Sequence, residues 1–142
     1  MFRLKRVWLI HIVALTISNL AFGQLSEVAT DSGTYRGHIS PIDERVTVFQ
    51  GIGYAAPPVG DLRWKPPSPA IPFAGVREAD RVSAACWQAR NSDASVYARG
   101  NLNRSEDCLY LNVFTGAEGS DADLPVMVWF HGGGNTAGHG GP

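Results

Sequence analysis

Apolar residues along this chain fall into two patterns. At Gly33–Ser40 and Arg45–Gln50 β-branched and aromatic residues alternate roughly with polar ones, which predicts strands with one face on a core. Pro41-Ile-Asp-Glu44 between them has turn chemistry, so the two are expected to form a hairpin. Leu109–Thr115 is a further strand-like run. The second pattern is the continuous run Val126–Phe130, which follows Pro125 and leads into glycines. Without polar alternation it predicts a strand buried on both faces of a sheet. The polar turn Gly116–Asp123 would set it beside Leu109–Thr115 as a hairpin-like pair.

The intervening segments are irregular. Gly51–Pro72 is rich in proline and glycine and excludes helix, because proline lacks an N–H and restricts the residue before it. Its apolar residues Ile52, Tyr54, Val59, Leu62, Trp64 and Ile71 predict an ordered loop anchored on a core. Ala74–Ala89 is read as holding a short turn of helix, and Asn91–Arg104 as a polar surface loop. Asn103-Arg-Ser105 is a glycosylation sequon, meaningful where the host glycosylates. Gln24–Asp31 is short and polar and is expected to be a mobile terminus, and His38 an exposed or edge histidine.

Composition fits a globular protein, at 44 % hydrophobic and 18 % charged residues. Residues 1–23 resemble a secretory signal peptide: Arg3, Lys5 and Arg6 precede the apolar run Val7–Phe22, and Ala21-Phe22-Gly23 has small residues for cleavage. Export to a secreted or periplasmic location is therefore expected, with no stable membrane anchor. Without those three cations, 12 basic residues become 9 against 13 acidic, a net charge of −4. No basic cluster points to nucleic acid. In an oxidising compartment the two cysteines, Cys86 and Cys108, favour a disulfide. Their spacing, without a paired Cys-x-x-Cys or nearby histidine, disfavours a metal site.

His131-Gly-Gly-Gly134 follows the apolar run. In open α/β sheets ligands bind at the C-terminal ends of strands. Glycines there leave backbone N–H groups uncovered, and a turn of this kind can direct several donors at a developing oxyanion. A Gly-rich turn with no chemistry remains the alternative on these residues alone.

Ser105-Glu-Asp-Cys-Leu-Tyr-Leu-Asn-Val113 resembles a signature of the type-B carboxylesterase family, which includes the cholinesterases and neuroligin-like adhesion proteins. Gly51–Trp64 resembles that family's N-terminal loop, and Leu124–Gly134 its oxyanion strand and loop. The resemblance covers nearly all of residues 30–142. It implies the N-terminal portion of an α/β-hydrolase fold (a small β-hairpin, a Pro-rich loop and the first strands of the central sheet), incomplete in this chain. It further implies a serine ester hydrolase in which Gly133 and Gly134 are oxyanion donors, Cys86 pairs with Cys108, and Arg63 with Glu106 in a buried ion pair. A small-molecule ester is the implied substrate, and no cofactor is implied. His131 would shape the loop, and His139 would be solvated in the tail.

The sequence departs from the family at Gly53, where proline is usual, and at Asn135, where a bulky residue is common. Neither Trp87 nor Tyr97 convincingly matches the choline-stacking tryptophan, so a choline-ester specialist is disfavoured. No Gly-x-Ser-x-Gly elbow occurs in the sequence. The expectation is a segment of a larger exported esterase that lacks the Ser/acid/His triad, is inactive alone and has weak autonomous stability. The alternative is a non-catalytic, cholinesterase-like binding or adhesion module.

Overall fold

A computed structural model describes residues 23–89 and 103–141. The expected signal peptide therefore lies outside the described residues apart from Gly23, as does most of the predicted surface loop after Asn91.

Eight short strands form three small sheets: β1 (Glu27–Thr30), β2 (Gly33–Arg36), β3 (His38–Ile39), β4 (Thr47–Gly53), β5 (Val76–Glu78), β6 (Ala85–Cys86), β7 (Arg104–Ser105) and β8 (Tyr110–Thr115). Their orders are β1-β2-β5, β3-β4-β8 and β6-β7. β3 and β4 form the expected hairpin, with His38 opposite Val48. The Ser40 hydroxyl accepts from Ile42 N–H at 3.2 Å within its turn. The first predicted run is divided, however, and its earlier half is β2, paired with β1 on one edge and β5 on the other. Half of the segment expected to be a mobile terminus, Glu27–Thr30, is thus strand. Alternate residues of β1 need only one partner ladder to satisfy the backbone, and β2 provides it.

β4 runs three residues into the predicted Pro-rich loop and pairs antiparallel with β8, with an irregularity between Phe49 and Ile52. Gly51 takes a φ of +73° there, and a Cβ at this position would meet the Arg81 carbonyl oxygen at 2.7 Å. Only glycine satisfies both requirements. The extra residue turns the Gly51 N–H onto the Asn112 side chain, 3.0 Å from Oδ1.

The core is small. Tyr35, Phe49 and Ala79 are buried together, with Val28, Ile52 and Phe73 packed against them. Tyr35 meets Phe73 edge-to-face at 5.1 Å between centroids, and the Arg77 guanidinium lies 3.8 Å above the Phe73 ring.

Three expectations are corrected. The stretch read as a turn of helix contains β5 and β6, because Val76–Glu78 completes the β2 edge and Ala79 is needed in the core. Of the proposed loop anchors only Ile52 packs on the core cluster. Trp64 is fully exposed, and Ile71, Tyr54 and Val59 are exposed as well. The small residues Ala55 and Ala56 are buried instead, and polar contacts add to the order: Ala56 N–H donates to Ser68 O at 3.0 Å, and Gly60–Leu62 closes a 3₁₀ turn. The largest difference is at Val126–Phe130. It has no strand partner among the described residues and does not pair with β8; Met127 is 95 % exposed and Phe130 85 %. A doubly buried strand needs a ladder on each edge and layers on both faces. Among the described residues there is no α-helix to provide such a layer.

Candidate active-site loop

The Gly-rich segment is a tight turn with an unusual backbone. Gly133, Gly134 and Asn135 have φ of +133°, +60° and +59° in succession. Thr136 and Ala137 N–H donate to Gly133 O at 3.1 and 3.2 Å, and the Thr136 hydroxyl donates to it at 3.1 Å. A Cβ on Gly133 would overlap the Ala137 carbonyl, so the turn closes only around glycine. Among the described residues, the N–H groups of Gly133 and Gly134 have no acceptor. Both residues are exposed. Uncommitted donors on a backbone held by its own turn are what stabilisation of an oxyanion requires. His131 Nδ1 lies 3.0 Å from Gly132 O, so its ring is tied back onto the loop it precedes.

Cys86 and Cys108 form a disulfide, with Cα atoms 5.1 Å apart. It joins β6, at the end of the segment leading from the core, to Cys108, two residues before β8. Arg63 Nε donates to Glu106 Oε1 at 2.7 Å, and its Nη2 to Oε2, in a bidentate fork. The fork holds the Glu106 carboxyl below the ordinary range and raises Arg63, the side-chain hydrogen bonds leading the attraction between the charges. The pair is half-exposed, with side-chain exposures of 54 % and 37 %, rather than buried. The fork ties the Pro-rich loop to the cysteine segment, and at this exposure an ion pair adds little stability.

Of the two other described histidines, His38 lies on the edge strand β3 as expected, and His139 is not solvated. His139 is half-buried, with Nε2 3.1 Å from Ser83 O and Nδ1 accepting from Gly141 N–H at 3.1 Å. His38 is half-buried too, with Nδ1 inaccessible and without a partner among the described residues. Trp87 is exposed, and Tyr97 lies outside the described residues.

Three residues absent from the sequence reading hold the tail. Gln88 pairs with the backbone of Gly138, Asn112 Nδ2 donates to Gly140 O at 3.1 Å, and Ser83 provides the carbonyl for His139. Asn112 left a trace in the sequence as a strand-disfavoured residue inside a strand run. Gln88 left none.

An open cleft of about 510 Å³ lies elsewhere, lined by Glu78, Asp80, Ser83, Ser105, Asp107 and Tyr110 among others; none of the glycines 132–134 lines it. Among the described residues no group of three or more His, Cys, Asp or Glu is placed to hold a metal ion. No helix among them is long and apolar enough to cross a membrane.

Residues 24–141 match the model of the carboxylesterase family. The chain is 42 % identical to a cocaine esterase of Oryctolagus cuniculus over 118 residues, covering 77 % of this chain and 22 % of that protein. It is 41 % identical to a fumonisin B1 esterase of Sphingopyxis macrogoltabida over 107 residues, 75 % of this chain and 19 % of that one. Among solved structures a PNB esterase superposes with a TM-score of 0.68 at 36 % identity, over 80 % of this chain and 22 % of the other. The chain thus spans about a fifth of the length of the curated relatives it matches. Its strands correspond to part of an α/β-hydrolase fold. With the family match running from Gln24 to Gly141 through the Arg63–Glu106 fork, the disulfide and the Gly-rich turn, the chain belongs to the carboxylesterase family.

Proposed function

We propose that this chain is the oxyanion-loop segment of an exported serine hydrolase acting on small-molecule carboxylic esters, with the Gly133 and Gly134 N–H groups as donors. The observation that carries the reading is the turn itself: three successive positive-φ residues, with two N–H groups that have no acceptor among the described residues. A serine hydroxyl, deprotonated by a histidine, adds to the ester carbonyl and leaves a negative charge on the carbonyl oxygen. Collapse releases the alcohol with its proton, and water then frees the acid by the same route. Two N–H donors at the oxygen lower both barriers, and one such donor contributes roughly 10²–10³ in turnover.

The sequence contains no Gly-x-Ser-x-Gly, so the nucleophile and its base come from residues outside these 142. The 142 residues by themselves are accordingly inactive. Export is supported by the leader-like residues 1–23 and by a disulfide that an oxidising compartment maintains.

The test is turnover of p-nitrophenyl acetate by the protein encoded by the complete reading frame, with and without a serine-directed organophosphate. Hydrolysis that the organophosphate abolishes is the expected result. A complete frame without an elbow serine, and without turnover, would leave a non-catalytic cholinesterase-like binding module in its place.

A further inference from the structure

Gln88 is two residues beyond Cys86, and its amide is fully used on backbone groups. Its Oε1 accepts from Gly138 N–H at 2.8 Å, and its Nε2 donates to Gly138 O at 2.8 Å and to Cys86 O at 3.1 Å. It thereby spans 50 residues of sequence, with one end on the disulfide and the other on the Gly-rich tail. Gly138 is in turn packed on the oxyanion loop: a Cβ there would overlap the His131 ring and the Gly132 carbonyl oxygen. The residue before it, Ala137, closes the turn by donating to Gly133 O, and its carbonyl lies against the Gly133 Cα. Fixing Gly138 therefore fixes the far side of the turn that aims the Gly133 and Gly134 N–H groups.

We propose that Gln88 is a positioning residue for the oxyanion loop: a latch through which the Cys86–Cys108 disulfide holds the loop's donors in place. The role rests on the oxyanion reading above, but the latch itself is a statement about geometry and can be tested separately. Asn112 and His139 hold the next three residues, Gly140 and its neighbours, to the β4 bulge and to Ser83. Among the described side chains, Gln88 is the one hydrogen-bonded to Gly138, the residue packed on His131 and Gly132.

The experiment compares wild type with Gln88→Leu and Gln88→Glu in the protein from the complete reading frame. Leu removes all three hydrogen bonds. Glu keeps an acceptor for Gly138 N–H and loses both donors, so it should fall between the two; it also serves if Leu impairs folding. Amide hydrogen exchange over residues 131–141 should quicken by about tenfold or more in Gln88→Leu, with the β4–β8 amides unchanged. The kcat for p-nitrophenyl acetate should fall about tenfold or more while KM stays within about twofold, and affinity for a trifluoromethyl ketone should fall in proportion to kcat. A merely stabilising side chain would not divide kcat from KM in this way. Unchanged exchange overturns the latch, whatever the protein hydrolyses. Faster exchange with unaltered kcat overturns the positioning role. If wild type turns over no ester, the esterase reading alone fails and exchange still decides the latch.

Discussion

Val48 and Phe49 on β4 and Val128 and Phe130 before the Gly-rich turn come from comparably apolar stretches, yet the first pair is 3 % and 2 % exposed and the second 67 % and 85 %. The difference lies in the surroundings each pattern demands. β4 has a strand on each edge, β3 and β8, and its consecutive residues Val48 and Phe49, which point to opposite faces, are both buried. Tyr35, Ala79 and Phe73 cover the Phe49 face. Val126–Phe130 is apolar on both faces and needs two covering layers, which the described residues do not contain. Val48 and Phe49 find cover on both faces within the described residues, and Val126–Phe130 does not.

The largest expected effect separates these two regions directly. Phe49→Ala in this chain should cost about 3–5 kcal/mol by urea denaturation, enough to unfold so small a core. Phe130→Ala should change stability by no more than about 0.5 kcal/mol. Equal costs would show that the run is covered in solution and would erase the contrast.

Gly133→Val addresses the chemistry at the end of the exposed run. The substituent overlaps the Ala137 carbonyl and forces a β-branched residue to a φ of +133°. Ester turnover by the protein from the complete reading frame should fall by roughly 10²–10³. Preserved turnover would remove Gly133 from the oxyanion hole.

Next comes the link between the regions. Replacing Cys86 and Cys108 together by serine opens a loop with a sequence separation of 22, which should cost about 3 kcal/mol in the chain-entropy model. Scanning calorimetry of the oxidised and serine forms measures it. A loss near zero would mean the Arg63–Glu106 fork and the β6–β7 pairing already hold the two segments together.

The smallest effect reports on β8. Burial, with a hydrogen bond to Asp107 next, pushes the Tyr110 phenol up to about 12. A raised phenol pKa favours the neutral form in the fold, so its contribution to stability is complete below the ordinary tyrosine range near 10 and is lost as pH rises through about 12. Absorbance of tyrosinate should show one residue titrating late, and Tyr110→Phe should remove that step. A uniform titration near 10 would place Tyr110 in solvent.

Legibility in the sequence followed the range of the interaction. The β3–β4 hairpin was readable because Pro41–Glu44 joins adjacent alternating runs, and β8 because Tyr110–Thr115 is a run of good strand formers. The site glycines were legible from His131-Gly-Gly-Gly134 and from the three family-like motifs. β1 was missed because its sequence is short and polar, and its stability comes from a ladder with β2 that composition does not encode. β5 and β6 were missed for the same reason, being two or three residues long.

By itself, then, the sequence determined the alternating strands, the glycines of the turn after the apolar run, the cysteine pair and the family, all of which depend on residue type or near neighbours. Only the tertiary structure decided that the apolar run before the turn is uncovered, that Arg63 and Glu106 meet half in solvent, and that Gln88 and Asn112 hold the tail. Those outcomes depend on which backbone groups come within 3 Å across tens of residues, and a side-chain amide carries no mark in the sequence of the partner it will find.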